Sequence, residues 1–302
     1  MRASAARART GPRPTAPMTY FRPTSLEDAL AALAEPLPSP RRVLCGGTDA
    51  YADPGARPPG GGWIDISRLD ALHGIAPRDG ELRIGAATSW DAIEHCALLP
   101  ASLREAAHQV GSRQIRVAGS LGGNLCHAAP AADGVPPLLT LDACVELTSL
   151  RGVRRLRLDE FLLGRRRTAL AADELLTAIL LPAAATTGRT AFLKCANRDG
   201  TALAVVSAAV RLRWSGRGVV AQAAVAVGAA SEVPVRLRAL EQGLEGARPE
   251  SLSSLIRESR LPELAPIDDV RGSASLRRHL ARVAVERACA RCLQEAIDGA
   301  PA

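Results

Sequence analysis

Apolar positions along the chain predict alternating helices and strands. Leu26, Ala29, Leu30 and Leu33 recur at helical spacing behind Ser25 and Asp28, which are spaced as a capping box. Pro36, Pro38 and Pro40 end that helix. Arg42 to Cys45 reads as a short buried strand running straight into Gly46-Gly47-Thr48-Asp49. Residues 53–62 form a Pro/Gly loop, and Trp63 to Ile66 alternates as the next strand. Leu82 and Ile84 mark another. Thr88 and Asp91 repeat the capping signal before a helix through Ile93, and residues 101–110 read as a further helix. Gly111 to Arg116 and a loop from Gly119 to Asn124 follow. Cys144 to Leu147 and Glu174 to Leu181 are strands, and Pro182 to Gly188 reads as a boundary. Beyond it, Phe192–Ala196, Val210–Trp214 and Val219–Val227 read as strands, and residues 235–245, 250–258 and 273–297 as helices.

This pattern predicts an α+β protein. Its larger part covers residues 18–187, in lobes of about 18–75 and 76–187. A smaller unit of three strands and three helices covers 188–297. A length of 302 residues agrees with two domains. Residues 1–17 carry too little apolar material to pack and read as a disordered tail.

Composition narrows the function. The net charge is +7, but Arg2, Arg7, Arg9 and Arg13 stand in a tail without acids, leaving 7 − 4 = +3 for residues 18–302. With aromatics at 3%, neither a basic face nor stacking platforms point to nucleic acid. No apolar run is long enough to span a membrane and no secretory signal is visible, so a cytoplasmic protein is expected. Seven scattered cysteines do not make a disulfide framework. Cys289 and Cys292 sit in a helical segment and read as helix-packing residues. The chain has a single lysine, Lys194, against an arginine-rich background. Either it was spared by chance or its site requires a compact ammonium.

Two glycine-rich segments, 46–49 and 119–124, are the main candidates for chemistry. Glycine lets backbone N–H groups approach an anion, so the pair could grip a diphosphate from two sides; each alone could be a plain tight turn. Neither is the dinucleotide-binding G-x-G-x-x-G, and no G-K-[ST] or G-x-S-x-G occurs. His73, His95, His108, His127 and His279 show no metal-ligand spacing and read as ordinary surface or core residues. His127, beside the second segment, stands nearest the chemistry. Arg165-Arg166-Arg167 reads as a solvated charge run.

Taken together, these motifs resemble a family. Val43-Leu44-Cys45 before Gly46-Gly47-Thr48-Asp49, and Gly111-Ser112-x-Gln114-Ile115-Arg116 before Gly119-Ser120-x-Gly122-Gly123-Asn124, are similar to the FAD-binding medium subunit of molybdenum hydroxylases of the xanthine dehydrogenase and carbon monoxide dehydrogenase type. Pro130 to Asp133, Pro137-Leu138-Leu139, Leu141-Asp142-Ala143, Asp173 to Leu176, Phe192-x-Lys194 with Arg198, and Asp269-x-Arg271-Gly272-Ser273-Ala274 continue it. The resemblance covers about residues 19–297.

The resemblance implies a two-lobed FAD-binding domain of the PCMH/vanillyl-alcohol-oxidase-like kind, followed by the family's C-terminal domain. FAD would be bound by Val43, Leu44, Cys45, Gly46, Gly47, Thr48, Asp49 and Ala50 around its diphosphate. Ser120, Leu121, Gly122, Gly123 and Asn124 would complete the cradle. Asp133 would hydrogen-bond the cofactor, Leu176 would pack near the ring system and Lys194 would sit at the flavin. This chain would hold no metal and no catalytic side chain of its own. It also implies an iron–sulfur small subunit with [2Fe–2S] clusters and a molybdopterin large subunit, in a dimer of heterotrimers. Electrons would pass from the clusters to FAD and on to NAD or another acceptor. The sequence departs from the family at Val117, His127, Ala202 and Leu276, and lacks the four-cysteine insertion of relatives with an extra cluster. A stand-alone FAD oxidoreductase and a scaffold subunit without FAD are the alternatives.

Overall fold

A computed structural model describes residues 20–37, 39–52, 62–198 and 200–298. The expected tail over 1–17 and nearly all of the 53–62 loop lie outside the described residues. The first sheet is small and parallel, in the order β1-β3-β2, from β1 (Tyr20–Phe21), β2 (Arg42–Leu44) and β3 (Trp63–Asp65). α1 (Leu26–Ala34) lies between β1 and β2 in the chain, and these two strands flank β3 on opposite sides. The Asp28 N–H donates to Ser25 Oγ at 3.1 Å, as the capping box predicts. Ala29, Leu30, Ile64, Leu69 and Leu72 form the core of this lobe. Arg22 at 2.8 Å and the Tyr20 hydroxyl both donate to Asp65, tying the chain around β1 to the end of β3.

The second sheet is antiparallel, with order β4-β5-β10-β6-β7. The hairpin of β4 (Ile75–Arg78) and β5 (Glu81–Gly85) leads into five short helices: α2 (Trp90–His95), α3 (Ala101–His108), α4 (Arg113–Ala118), α5 (Leu121–His127) and α6 (Val135–Thr140). After β6 (Cys144–Ser149), β7 (Gly152–Arg157), α7 (Leu158–Phe161) and the small hairpin of β8 (Leu162–Gly164) and β9 (Arg167–Thr168), strand β10 (Leu175–Pro182) returns between β5 and β6. A core of Ile84, Trp90, Leu103, Leu121, Leu125, Leu138, Val145 and Ile179 joins the helices to the sheet.

The third sheet, β11-β12-β13-β14, is built from β11 (Arg189–Ala196), β12 (Ala204–Trp214), β13 (Val220–Gly228) and β14 (Val235–Arg236). It packs against α8 (Arg238–Leu244), α9 (Leu252–Glu258) and α10 (Ala274–Asp298). Cys289 and Cys292 are buried in this core, as expected of packing residues. Two polar clamps fix the third sheet to the helices of the second. Arg211 donates to the Thr140 carbonyl at 2.8 Å and to Asp142 at 3.0 Å, and Arg236 joins the same Asp142 at 2.9 Å. On the free edge of β11, Glu105 accepts the Phe192 N–H at 2.7 Å while Arg291 donates to the Phe192 carbonyl at 3.0 Å and pairs with Glu105.

The mixed architecture agrees with the sequence reading; several elements differ from it. The third sheet has four strands, because Val235–Arg236 pairs with β13 before α8 begins. The cap of α2 is Ser89, whose Oγ accepts the Ala92 N–H at 3.2 Å, while Thr88 Oγ1 donates to the Gly74 carbonyl instead. The second glycine segment is a capped helix rather than a loop.

Candidate functional site

One cleft of about 680 Å³ runs between the lobes, inside the size range of cofactor pockets. Val43, Leu44, Cys45, Gly46, Gly47, Thr48, Asp49, Ala50, Ser120, Gly122, Gly123, Asn124, Asp133, Leu176 and Lys194 all line it. Leu121 does not; it is fully buried in the core behind the wall.

The first glycine segment is held open by its own geometry. Gly47 has φ +69°, a left-handed conformation natural to glycine, and a Cβ there would lie 2.5 Å from the Tyr51 ring. Gly46 passes so close to α4 that a Cβ would stand 1.9 Å from the Ala118 carbonyl oxygen. No acceptor among the described residues takes the N–H groups of Gly47, Thr48 and Asp49. Three successive free amides form a nest suited to an anion.

The second segment has spent its donors from Leu121 to Asn124. Leu121 N–H donates to the Thr88 carbonyl at 3.0 Å, Gly122 N–H to Ala86 at 2.8 Å and Asn124 N–H to Ser120 at 3.1 Å. Gly123 N–H donates to the capping Ser120 Oγ at 3.1 Å. Gly122 is small because α5 is pressed onto the sheet: a Cβ would lie 2.7 Å from both the Cβ and the carbonyl oxygen of Ala86. This wall therefore offers shape and the Asn124 side chain, whose Oδ1 is buried without a partner.

Asp133 and Lys194 meet in the cleft. Lys194 Nζ donates to Asp133 Oδ2 at 2.6 Å and to the Gln109 carbonyl at 3.1 Å. Burial pushes the Asp133 carboxyl up to about 6, against the opposing pull of the Lys194 charge. Asp133 Oδ1 is buried and unpartnered, so a donor is missing from this pair. Lys194 extends from β11, which the Glu105 and Arg291 clamp holds two residues away. A compact ammonium fits here, in line with the survival of the chain's only lysine.

Sequence reasoning missed part of the lining. Val110 and Ile115 come from the turn and helix around α4, and Thr201, Ala202 and Leu203 from the turn after β11. His127 also faces the cleft, its Nε2 3.7 Å from Asp49 Oδ1. Val110 directly precedes the Gly111-Ser112 motif, a signal by which it could have been found. Outside the cleft, Asp91, Glu94 and His95 gather to within 4.8 Å, but Glu94 is already engaged by Arg116 at 2.8 Å and His108 at 2.7 Å. The Arg165 to Arg167 run is exposed, at the turn of the β8–β9 hairpin.

Comparison with known proteins returns two adjoining families. Residues 16–184 match the FAD binding domain in molybdopterin dehydrogenase, and residues 191–292 match the CO dehydrogenase flavoprotein C-terminal domain. The chain is 33% identical to the nicotinate dehydrogenase FAD-subunit of Eubacterium barkeri, over 81% of this chain and 84% of that protein. It is also 33% identical to the xanthine dehydrogenase FAD-binding subunit of Escherichia coli O157:H7, over 87% and 91%. Among solved structures, carbon monoxide dehydrogenase from Hydrogenophaga pseudoflava superposes with a TM-score of 0.83 at 28% identity, covering 92% of this chain and 97% of that one.

Proposed function

The chain belongs to the family of FAD-binding subunits of molybdenum hydroxylases and is a flavoprotein oxidoreductase subunit, and from that premise we propose how its cleft serves the complex. The observation that carries the reading is the set of free amides at Gly47, Thr48 and Asp49, opening into the same cleft as the half-satisfied Asp133–Lys194 pair. These features fit FAD: a nest for the diphosphate at one end and a buried acceptor seeking a donor at the other.

In this reading residues 43–50 hold the diphosphate by backbone donors. Gly46 and Gly47 let the loop pass Ala118 and Tyr51 closely enough to hold this conformation. Ser120 to Asn124 wall the opposite side and set the width of the cleft. Asp133 Oδ1 accepts a hydrogen bond from the ring system, and Leu176 supplies an apolar surface beside it. Lys194 keeps Asp133 ionised above about pH 6 and adds a compact positive charge. When bound, FAD supplies the redox chemistry, exchanging electrons one or two at a time. The protein's contribution is placement and field.

The finer reading is that electrons arrive from [2Fe–2S] clusters in a small subunit. They leave for NAD or another acceptor, while substrate is hydroxylated on a large molybdopterin subunit. The family membership supports it, as does the chain's lack of a cysteine spacing for a plant-type cluster. A dimer of heterotrimers in the cytoplasm is part of the same proposal. No helix among the described residues is long and apolar enough to cross a membrane.

The test is to purify the chain alone and together with its two proposed partners. Alone it should carry FAD, seen by flavin absorbance near about 450 nm, and show no hydroxylase turnover. With partners it should co-purify and turn over. Hydroxylation of an aldehyde or N-heterocycle by the isolated chain would contradict the division of labour.

A further inference from the structure

Asp49 creates an electrostatic difficulty for the loop that carries it. Its carboxylate, 59% exposed, stands on the same segment as the free amides, so a diphosphate seated there would share the loop with a like charge. A cation facing both would offset that repulsion. Lys194 is committed to Asp133 and the Gln109 carbonyl. Arg42 lies at the start of β2, exposed at the rim of the cleft. His127, in the last turn of α5 on the opposite wall, faces Asp49 directly, with Nε2 3.7 Å from Oδ1. That separation is too long for a hydrogen bond but short enough for an imidazolium to screen a carboxylate.

We propose that His127 is a cationic contact for the FAD diphosphate: protonated, it offsets Asp49 and donates to a phosphate oxygen, so that binding of FAD takes up one proton from solvent on this imidazole. The inference rests on the FAD reading above and deepens it.

Other titratable groups border the same space. Asp49 and Cys45 come from the first loop, and Cys126 is the neighbour on α5. Arg166 belongs to the hairpin whose backbone N–H donates to the Ala128 carbonyl at 2.9 Å, and Asp133, Lys194 and Arg42 complete the lining. Asp133 titrates near His127's ordinary range, so the experiment must separate the two.

The dissociation constant of FAD for the full-length apo-protein is measured by flavin fluorescence from about pH 5.5 to 8.5, spanning imidazole titration. Wild type, His127→Asn, Asp49→Asn and the double variant are compared. Calorimetry in two buffers of different ionisation enthalpy counts the protons taken up. Wild type should lose affinity by about tenfold or more across this range, as for loss of one charge-assisted contact. His127→Asn should bind about tenfold more weakly at low pH, match wild type at high pH and take up fewer protons. Asp49→Asn should tighten binding, because it removes the like charge beside the diphosphate. Equal affinity of wild type and His127→Asn at both ends, with unchanged proton uptake, overturns the role of His127 while leaving the FAD reading standing. A wild-type chain that binds no FAD at any pH overturns both.

Discussion

The two glycine-rich segments of the cleft look alike in sequence and do opposite things with their backbones. Gly47 to Asp49 leaves its amides free and keeps a left-handed residue at Gly47. From Leu121 to Asn124 the other segment consumes its amides in capping α5 and docking it on the sheet, and Gly122 is there for close approach to Ala86. A paired glycine is thus a statement about space, and only the hydrogen-bond accounting tells a donor nest from a packing joint.

Gly122→Val should break the comparison hardest, on the closed side. Two added methyls have nowhere to go beside Ala86, and overpacking should lower stability by up to about 3 kcal/mol in urea unfolding. The folded fraction should retain more of its FAD affinity than the next variant does. Gly47→Val acts on the open side. It should weaken FAD binding by about 30-fold, roughly 2 kcal/mol, while the left-handed φ costs folding only about 1–2 kcal/mol. If both variants lose stability and FAD in equal proportion, the distinction between nest and joint fails.

The closed side borders the cleft's buried charge, and pH reads it. Asp133 has its carboxyl raised from an ordinary value of about 3.9 to about 6, so the native state holds its proton more tightly than the unfolded chain does. Its contribution is therefore present below about pH 4 and lost as pH rises to about 6, a change of roughly 1–2 kcal/mol. Urea midpoints at the two pH values should show this component in wild type and not in Asp133→Asn. The smallest effect belongs to Ser120→Ala. Losing the cap should remove about 1 kcal/mol of stability and leave FAD affinity nearly unchanged, since the bond lost is internal to the first turn of α5.

The sequence made most strands and the long helices legible because they bury one face. Alternation marked β5 around Leu82 and Ile84, and the capping box at Ser25 marked α1. Elements that bury nothing were invisible to that logic. Helix α4 has no buried residue, so its apolar spacing carries no signal. Strand β7, Gly152–Arg157, is an arginine-bearing edge held by ion pairs such as Arg154 with Glu174 at 2.6 Å, and it reads as a polar run. In the site, the glycines and Lys194 stood out by residue type. The Asp133–Lys194 contact did not, because 61 residues separate its partners and only the packing of the third sheet on the second lobe brings them together.

The clamp of Glu105 and Arg291 on Phe192 has a bearing beyond the cleft. An edge strand with a bare N–H and carbonyl is a template on which another chain can add itself. At Phe192 both groups are taken by side chains from α3 and α10, which act as a counterfeit neighbouring strand. The sheet is sealed at that point against strand addition. A strand arriving from another chain would find no bare N–H or carbonyl at Phe192 to pair with, so any association there must use side chains instead.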